Sequence, residues 1–160
     1  ENITVGRLDG RFTGYEKNSS GDGIERDPSY SAILGPYTAA FYDYVRSDLG
    51  FEFDIPYEII ADLGKWTFEE GKYADVSPDL RTAFLLNPNL RVYIANGFYD
   101  MATPYFATEY TVNHLSLPEP LRDRIQMGYF ESGHMMYLQL ASLSKISKDL
   151  TAFIQESIPA

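Results

Sequence analysis

Apolar and polar positions along this chain fall into blocks of different period. In "GPYTAAFYDYVRSDLG", residues 35–50, the positions Tyr37, Ala40, Phe41, Tyr44 and Val45 recur at helical spacing and predict one buried face. Pro36 suits the first turn of that helix and Gly50 its C-terminal cap. "SPDLRTAFLLNP", residues 77–88, predicts a second helix. Ser77 caps it, Pro78 takes the first turn, Asp79 meets the positive end of the helix dipole, and Asn87-Pro88 ends it. "LRVYIANG", residues 90–97, is rich in β-branched and aromatic residues and stops at Asn96-Gly97, which predicts a buried strand of a parallel sheet. "MATPYFATEYTVNHL", residues 101–115, reads as a helix with Thr103 at its cap and Pro104 in its first turn. "RIQMGYFE", residues 124–131, predicts a second strand. "LSKISKDLTAFIQESI", residues 143–158, predicts an amphipathic helix with Leu143, Ile146, Leu150, Phe153 and Ile154 turned inward.

The remaining segments lack a clear period. Residues 1–30 are rich in Gly, Asp, Asn and Ser and read as irregular surface chain. Residues 51–76 are interrupted by Pro56, Gly64 and Gly71 and read as short helices and loops contributing to a lid or cap, with Trp66 and its aromatic neighbours packing. There is no internal repeat. The chain therefore reads as one domain, 1–160. Its irregular and helical first part is 1–76, and its strand–helix–strand–helix second part is 77–160. That alternation predicts an α/β fold.

In such sheets, functional groups gather where the strands end and the loops begin. Asp100 lies just past the first strand and His134 just past the second. One helix and one strand separate them, and a right-handed crossover of that size returns the chain to the same sheet edge. A carboxylate bonded to one ring nitrogen would fix the imidazole tautomer and leave the other nitrogen free as a base. Gly97 and Gly133 fit sharp turns after strands. The same placement also fits a hydrogen-bonded loop histidine beside a turn-forming aspartate. The other histidine, His114, falls near a helix C-terminus and reads as structural.

A hydrolase built on Asp and His needs a nucleophile, usually Ser in G-x-S-x-G at a strand-to-helix elbow. Gly6 and Gly10 enclose Leu8, Gly10 and Gly14 enclose Phe12, and no serine occupies such an elbow. Ser132 is too close in sequence to His134 to be presented by a separate strand. In α/β-hydrolases Ser precedes Asp, which precedes His. A chain with only the last two reads as the C-terminal part of such an enzyme.

Composition narrows the field further. With 44% hydrophobic residues, 13 Tyr and 10 Phe, the chain reads as globular. A formal charge of −10 argues against nucleic-acid or anionic-membrane partners. The absence of cysteine excludes disulfides, thiolate metal sites and Cys nucleophiles. "SSGDGIERDPS" lacks the alternating oxygen ligands of a calcium loop, so no metal and no cofactor is expected. "ENITVGRLDG" has neither a basic n-region nor an apolar h-region, and it lacks an initiator methionine, as expected of a processed chain or a piece of a longer one.

The wording around the two residues is closer than a generic hydrolase pattern. "VYIANGFYDMATPYFATEY" and "YFESGHMMYL" resemble the segments that carry the catalytic Asp and His in the serine carboxypeptidase family, the carboxypeptidase Y and cathepsin A type. "VGRLDGRFTGYE" and "GPYTAAFYDYVRSDLGF" are similar to its bacterial branch, so the resemblance spans nearly the whole chain. It implies the last parallel strands of an α/β-hydrolase fold with part of a lid. The implied reaction is removal of a C-terminal residue from a peptide through an acyl-enzyme, commonly at acidic pH. In that reaction Asp100 orients His134, which is general base and then general acid. Met135 matches a position lining the leaving-residue pocket, and Thr103 falls near the same pocket. "HMMYL" departs from the Met-Val-Pro or Glu-Val-Pro run of eukaryotic members. The implied partners are a peptide substrate and an upstream Ser-bearing part of the same protein, in an extracellular or periplasmic setting. Two other readings compete: a non-catalytic, hydrolase-shaped interaction domain, and another α/β-hydrolase such as an esterase or aminopeptidase. A strand 90–96 that is paired on both sides in a full sheet would leave an open edge here, which predicts self-association.

Overall fold

The computed structural model describes residues 3–15, 27–52, 54–55 and 71–158. Trp66 and most of the expected lid segment lie outside them. The described residues form a mixed helix and strand structure with two small sheets.

The first sheet corrects the reading of residues 1–30 as irregular. β1 (Ile3–Val5) pairs antiparallel with β2 (Thr13–Tyr15), Ile3 opposite Tyr15 and Val5 opposite Thr13. Strands of three residues are too short to show a period. The loop between them, residues 6–12, is closed by Gly6 N–H on the Phe12 carbonyl (2.8 Å) and Phe12 N–H on the Asp9 carbonyl (3.1 Å).

α1 (Pro28–Asp43) starts well before Pro36, which lies inside the helix instead of in its first turn. Asp27 supplies the cap: its Oδ1 accepts from the N–H groups of Ser29 (2.8 Å) and Tyr30 (3.2 Å). The helix runs through Pro36 because the preceding residue is Gly35, which has no Cβ to collide with the proline ring. The expected buried face is absent. Tyr37, Ala40, Phe41 and Tyr44 are exposed, and Ser29 is the buried residue of the helix. Periodicity put these aromatics on one stripe, but among the described residues no second layer covers it. A π-helical turn, Tyr44–Asp48, ends the helix. Gly50 then takes the left-handed conformation expected of a C-terminal cap, at φ +61°.

α2 (Ser77–Leu86) ends at Asn87 as expected, but Ser77 is not its cap. The cap position is Val76, and Asp75, one residue before it, accepts from Ser77 N–H at 2.9 Å. β3 (Val92–Gly97) and β4 (Ile125–Phe130) form the predicted parallel pair, with Val92 opposite Ile125 and Gly97 opposite Phe130. Among the described residues β3 pairs with no other strand, so one of its edges is open.

Helices cover the two faces of this pair. On one face lies α5 (Leu140–Ser157): Tyr93 O–H donates to Asp149 (3.1 Å), the Tyr93 ring meets Phe153 (5.6 Å), and Lys145 Nζ sits 4.4 Å from the Phe130 ring. The inward stripe of α5 is Ser142, Ile146, Asp149 and Phe153, whereas Leu143, Leu150 and Ile154 are exposed. The helix is rotated from the expected face, with Asp149 turned toward Tyr93. On the other face lies α3 (Tyr105–His114), where Phe98, Tyr105 and Tyr129 cluster and Tyr129 O–H donates to Glu109 at 2.6 Å. The short α4 (Glu119–Arg122) leads into β4. Phe84, Leu115, Phe130 and Met136 are the buried apolar side chains among the described residues.

Candidate active site

β3 ends at Gly97 and β4 at Phe130, so the loops that follow leave the same end of the parallel pair. Those loops stay together because Phe98 N–H donates to the Phe130 carbonyl (3.0 Å) and Tyr99 N–H to the Ser132 carbonyl (3.1 Å). Gly97 permits the approach: a Cβ there would fall 2.6 Å from the Ser132 carbonyl oxygen and closer still to that of Gly133. Gly133 is constrained in the same way, since its Cβ would lie 2.6 Å from Asp9 Cβ and would strike the Leu8 carbonyl oxygen. Close backbone approach, more than a turn, requires these two glycines.

The result is a contact between side chains distant in sequence. His134 Nδ1 lies 2.8 Å from Asp100 Oδ2, and the Asp100 side chain is 4% exposed. The other carboxylate oxygen, Oδ1, accepts from the N–H groups of Ala102 (2.8 Å) and Thr103 (2.9 Å), an Asx-type turn that fixes the carboxylate plane. Thr103 Oγ1 donates to Oδ2 at 2.6 Å and stands 3.2 Å from His134 Nδ1. Burial alone would raise the Asp100 pKa. The hydrogen bonds from the Thr103 hydroxyl, Thr103 N–H, His134 and Ala102 N–H outweigh it and hold the carboxyl below its ordinary value.

An ionised carboxylate only accepts, so Nδ1 carries the proton and Nε2 the lone pair whenever the ring is neutral. The Thr103 hydroxyl proton is committed to Asp100, at the shorter of its two distances. Nε2 makes no hydrogen bond among the described residues, and 43% of the His134 side chain is exposed. A buried acid, a tautomer-fixed imidazole and an accessible basic nitrogen together can take a proton from a hydroxyl and return it.

The chain matches no family model, no curated protein and no solved structure.

The other expected site residues divide. Thr103 does not cap α3, whose first cap position is Pro104; its hydroxyl belongs to the Asp100 carboxylate. Met135 is half-buried and lines a cavity of about 210 Å³ with Leu8, Phe12, Ile33 and Leu138. That cavity is lined by neither Asp100 nor His134, although Gly133 and Met135, the chain neighbours of His134, both line it. His114 is the last residue of α3, its Nδ1 2.6 Å from the Tyr110 carbonyl oxygen and its ring stacked on Tyr110, apart from the dyad. Ser132 is buried beside Gly133, with its carbonyl held by Tyr99 N–H. Among the described residues no cluster of His, Asp and Glu could hold a metal ion.

Sequence reasoning missed Leu8, Asp9 and Arg11. Asp9 is buried and paired to Arg11, whose guanidinium donates from Nε (3.0 Å) and Nη2 (2.6 Å) and lies 4.4 Å over the Tyr99 ring. Burial opposes ionisation of Asp9, but bonds from Arg11 and from Gly133 N–H outweigh it and keep its pKa low. The signal available was Asp-Gly-Arg at a loop tip, a pair of opposite charges around a glycine.

Proposed function

We propose that Asp100 and His134 are the orienting carboxylate and general base of a serine carboxypeptidase of α/β-hydrolase fold. In this reading the β3–β4 pair is the end of a larger parallel sheet, and the open edge of β3 receives its next strand. The nucleophilic serine comes from a segment outside these 160 residues. His134 Nε2 removes the serine proton as the hydroxyl attacks the scissile carbonyl, then returns it to the leaving amine. Water enters next and is activated by the same nitrogen, releasing the acyl group and restoring the serine. Asp100 stays ionised throughout and stabilises the imidazolium. No cofactor or metal is needed for this chemistry.

The observation that carries the reading is the 2.8 Å contact of a buried Asp100 with Nδ1 of a half-exposed His134 at the ends of adjacent parallel strands. The preference for peptide C-termini rests on the resemblance of the two motifs. An esterase or aminopeptidase would use the same dyad, and a substrate pair separates them: an N-blocked dipeptide with a free carboxylate against its C-terminal amide. Strong preference for the free acid supports the carboxypeptidase. Equal turnover of both leaves a hydrolase of another class.

The exposed aromatics Tyr73, Phe106 and Tyr110 favour a second reading, a hydrolase-shaped interaction domain. Retention of full biological activity by the parent protein after His134→Ala would support it.

A further inference from the structure

Beyond the last paired residues of β3 and β4, the backbones of the Asp100 and His134 loops are joined, among the described residues, by the Tyr99 and Phe98 amide bonds described above. A third segment, residues 7–11, runs alongside and bonds to each loop in turn. Met101 N–H, next to Asp100, donates to the Arg7 carbonyl (3.1 Å), and Gly10 N–H donates to the Tyr99 carbonyl (2.8 Å). His134 N–H donates to the Leu8 carbonyl at 2.7 Å, and Gly133 packs so closely on Asp9 that a Cβ on it would lie 2.6 Å from Asp9 Cβ. Arg11 then closes the span. It holds Asp9, covers Tyr99 from the Asp100 loop, and reaches the Glu131 carbonyl of the His134 loop at 3.5 Å.

The segment is itself anchored from behind. Leu8 N–H donates to Ser29 Oγ (3.0 Å), Ser29 Oγ to Asp27 Oδ1 (2.5 Å), and Arg7 N–H to Asp27 Oδ2 (3.1 Å). Thus the cap of α1 grips the segment that grips the His134 backbone.

We propose that residues 7–11 are a positioning strap for the dyad, with Asp9 as its central positioning residue. The proposal rests on the reading of Asp100 and His134 as a catalytic pair and adds what keeps them in register. Neither Asp9 nor Arg11 bonds to the His134 ring or to the Asp100 carboxylate; they act through Gly133, Tyr99 and the Leu8 carbonyl. The geometry matters because a displacement of about 1 Å in a reacting group costs on the order of 100-fold in rate. The Asp9 carboxylate accepts from Arg11 N–H, Nε and Nη2, so an amide in its place would turn donors toward donors.

The test is nitrogen-resolved NMR of the two imidazoles in the 160-residue chain, with His114 as the internal control. In the wild type His134 is expected to show a single Nδ1–H tautomer with slow exchange of that proton. Asp9→Asn and Arg11→Ala are each expected to give mixed tautomers and about tenfold faster exchange at His134, with His114 unchanged. Asp149→Asn removes a similar ion pair and a tyrosine bond on α5, and it should leave His134 as it was. A folded Asp9→Asn or Arg11→Ala chain with wild-type tautomer and exchange at His134 overturns the strap. If Asp9→Asn fails to fold, the outcome with Arg11→Ala, whose side chain is half-exposed, decides. Because no substrate is used, a negative result here rejects the strap alone. Hydrolysis that persists after His134→Ala would reject the catalytic reading instead.

Discussion

His134 Nδ1 and Asp100 Oδ2 lie 2.8 Å apart although 34 residues separate them in the chain. The carboxylate's remaining acceptor capacity is taken by Ala102 N–H, Thr103 N–H and the Thr103 hydroxyl. A carboxylate has about four lone-pair sites, so Asp100 is saturated and cannot turn away from the ring. One oxygen builds the turn and the other orients the imidazole.

Asp100→Asn keeps the shape but can place an N–H against Nδ1 and select the wrong tautomer. Hydrolysis by the parent protein is expected to fall by roughly 10⁴-fold in kcat with little change in KM. Steady-state kinetics on an N-blocked dipeptide checks this. A loss below tenfold would mean that Asp100 only forms the turn.

Thr103→Val removes the hydroxyl that bonds Asp100 Oδ2 and keeps the branched shape. Denaturant unfolding should show a loss of up to about 1 kcal/mol, and Thr103→Ser should recover most of it. Equal losses in both variants would assign the residue to packing.

Acid should destabilise the fold through Asp9, Asp27 and Asp100, whose carboxyls all ionise below the ordinary value. In each, burial is opposed and outweighed by hydrogen bonds: from Arg11 to Asp9, from Ser29, Tyr30 and Arg7 to Asp27, and from Thr103, His134 and Ala102 to Asp100. A depressed folded pKa contributes stability that is present above the unfolded value of about 3.9 and is lost as pH falls through the folded one. Melting temperature should therefore be insensitive to these groups above roughly pH 5 and should drop below roughly pH 4. Asp27→Asn should flatten that drop. An unchanged acid slope in this variant would remove Asp27 from the account.

Gly97→Ala places a methyl against the Ser132 and Gly133 carbonyl oxygens, which cannot move without parting the two loops. Gly133→Ala places one against the Leu8 carbonyl oxygen and Asp9, which cannot move without parting residues 7–11 from the His134 loop. Each is expected to cost about 1–3 kcal/mol in unfolding free energy and to disturb the His134 ring signals. Wild-type stability would show, for Gly97→Ala, that the two loops are free to separate and, for Gly133→Ala, that residues 7–11 are free to move off the His134 loop.

Much of this arrangement was legible in the chain because it is local. β-branched and aromatic runs marked β3 and β4, and their order placed Asp100 and His134 past strand ends. Gly50 announced its cap. Three features were not legible, for physical reasons. Pro36 looked like a helix start because the relief given by Gly35 depends on a missing atom and not on a period. The stripe of α1 and the inner face of α5 depend on what packs against them, which spacing alone cannot specify. The strap is a coil held by tertiary hydrogen bonds, so Asp9 and Arg11 carry no periodic signal. The Thr103-Pro104 pair has the pattern of a helix start, but the neighbouring Asp100 captures the Thr103 hydroxyl.

The central claim is that His134 is the base for a serine supplied by another segment. The most direct measurement is serine-dependent hydrolysis of an N-blocked dipeptide by the 160-residue chain and by the parent polypeptide joining it to the nucleophile-bearing segment. Each is assayed as wild type and as His134→Ala. The account predicts no turnover by the chain alone, turnover by the parent, and a loss of at least about 10³-fold in the parent on His134→Ala. Robust turnover by the chain alone, or a parent indifferent to His134→Ala, would contradict it.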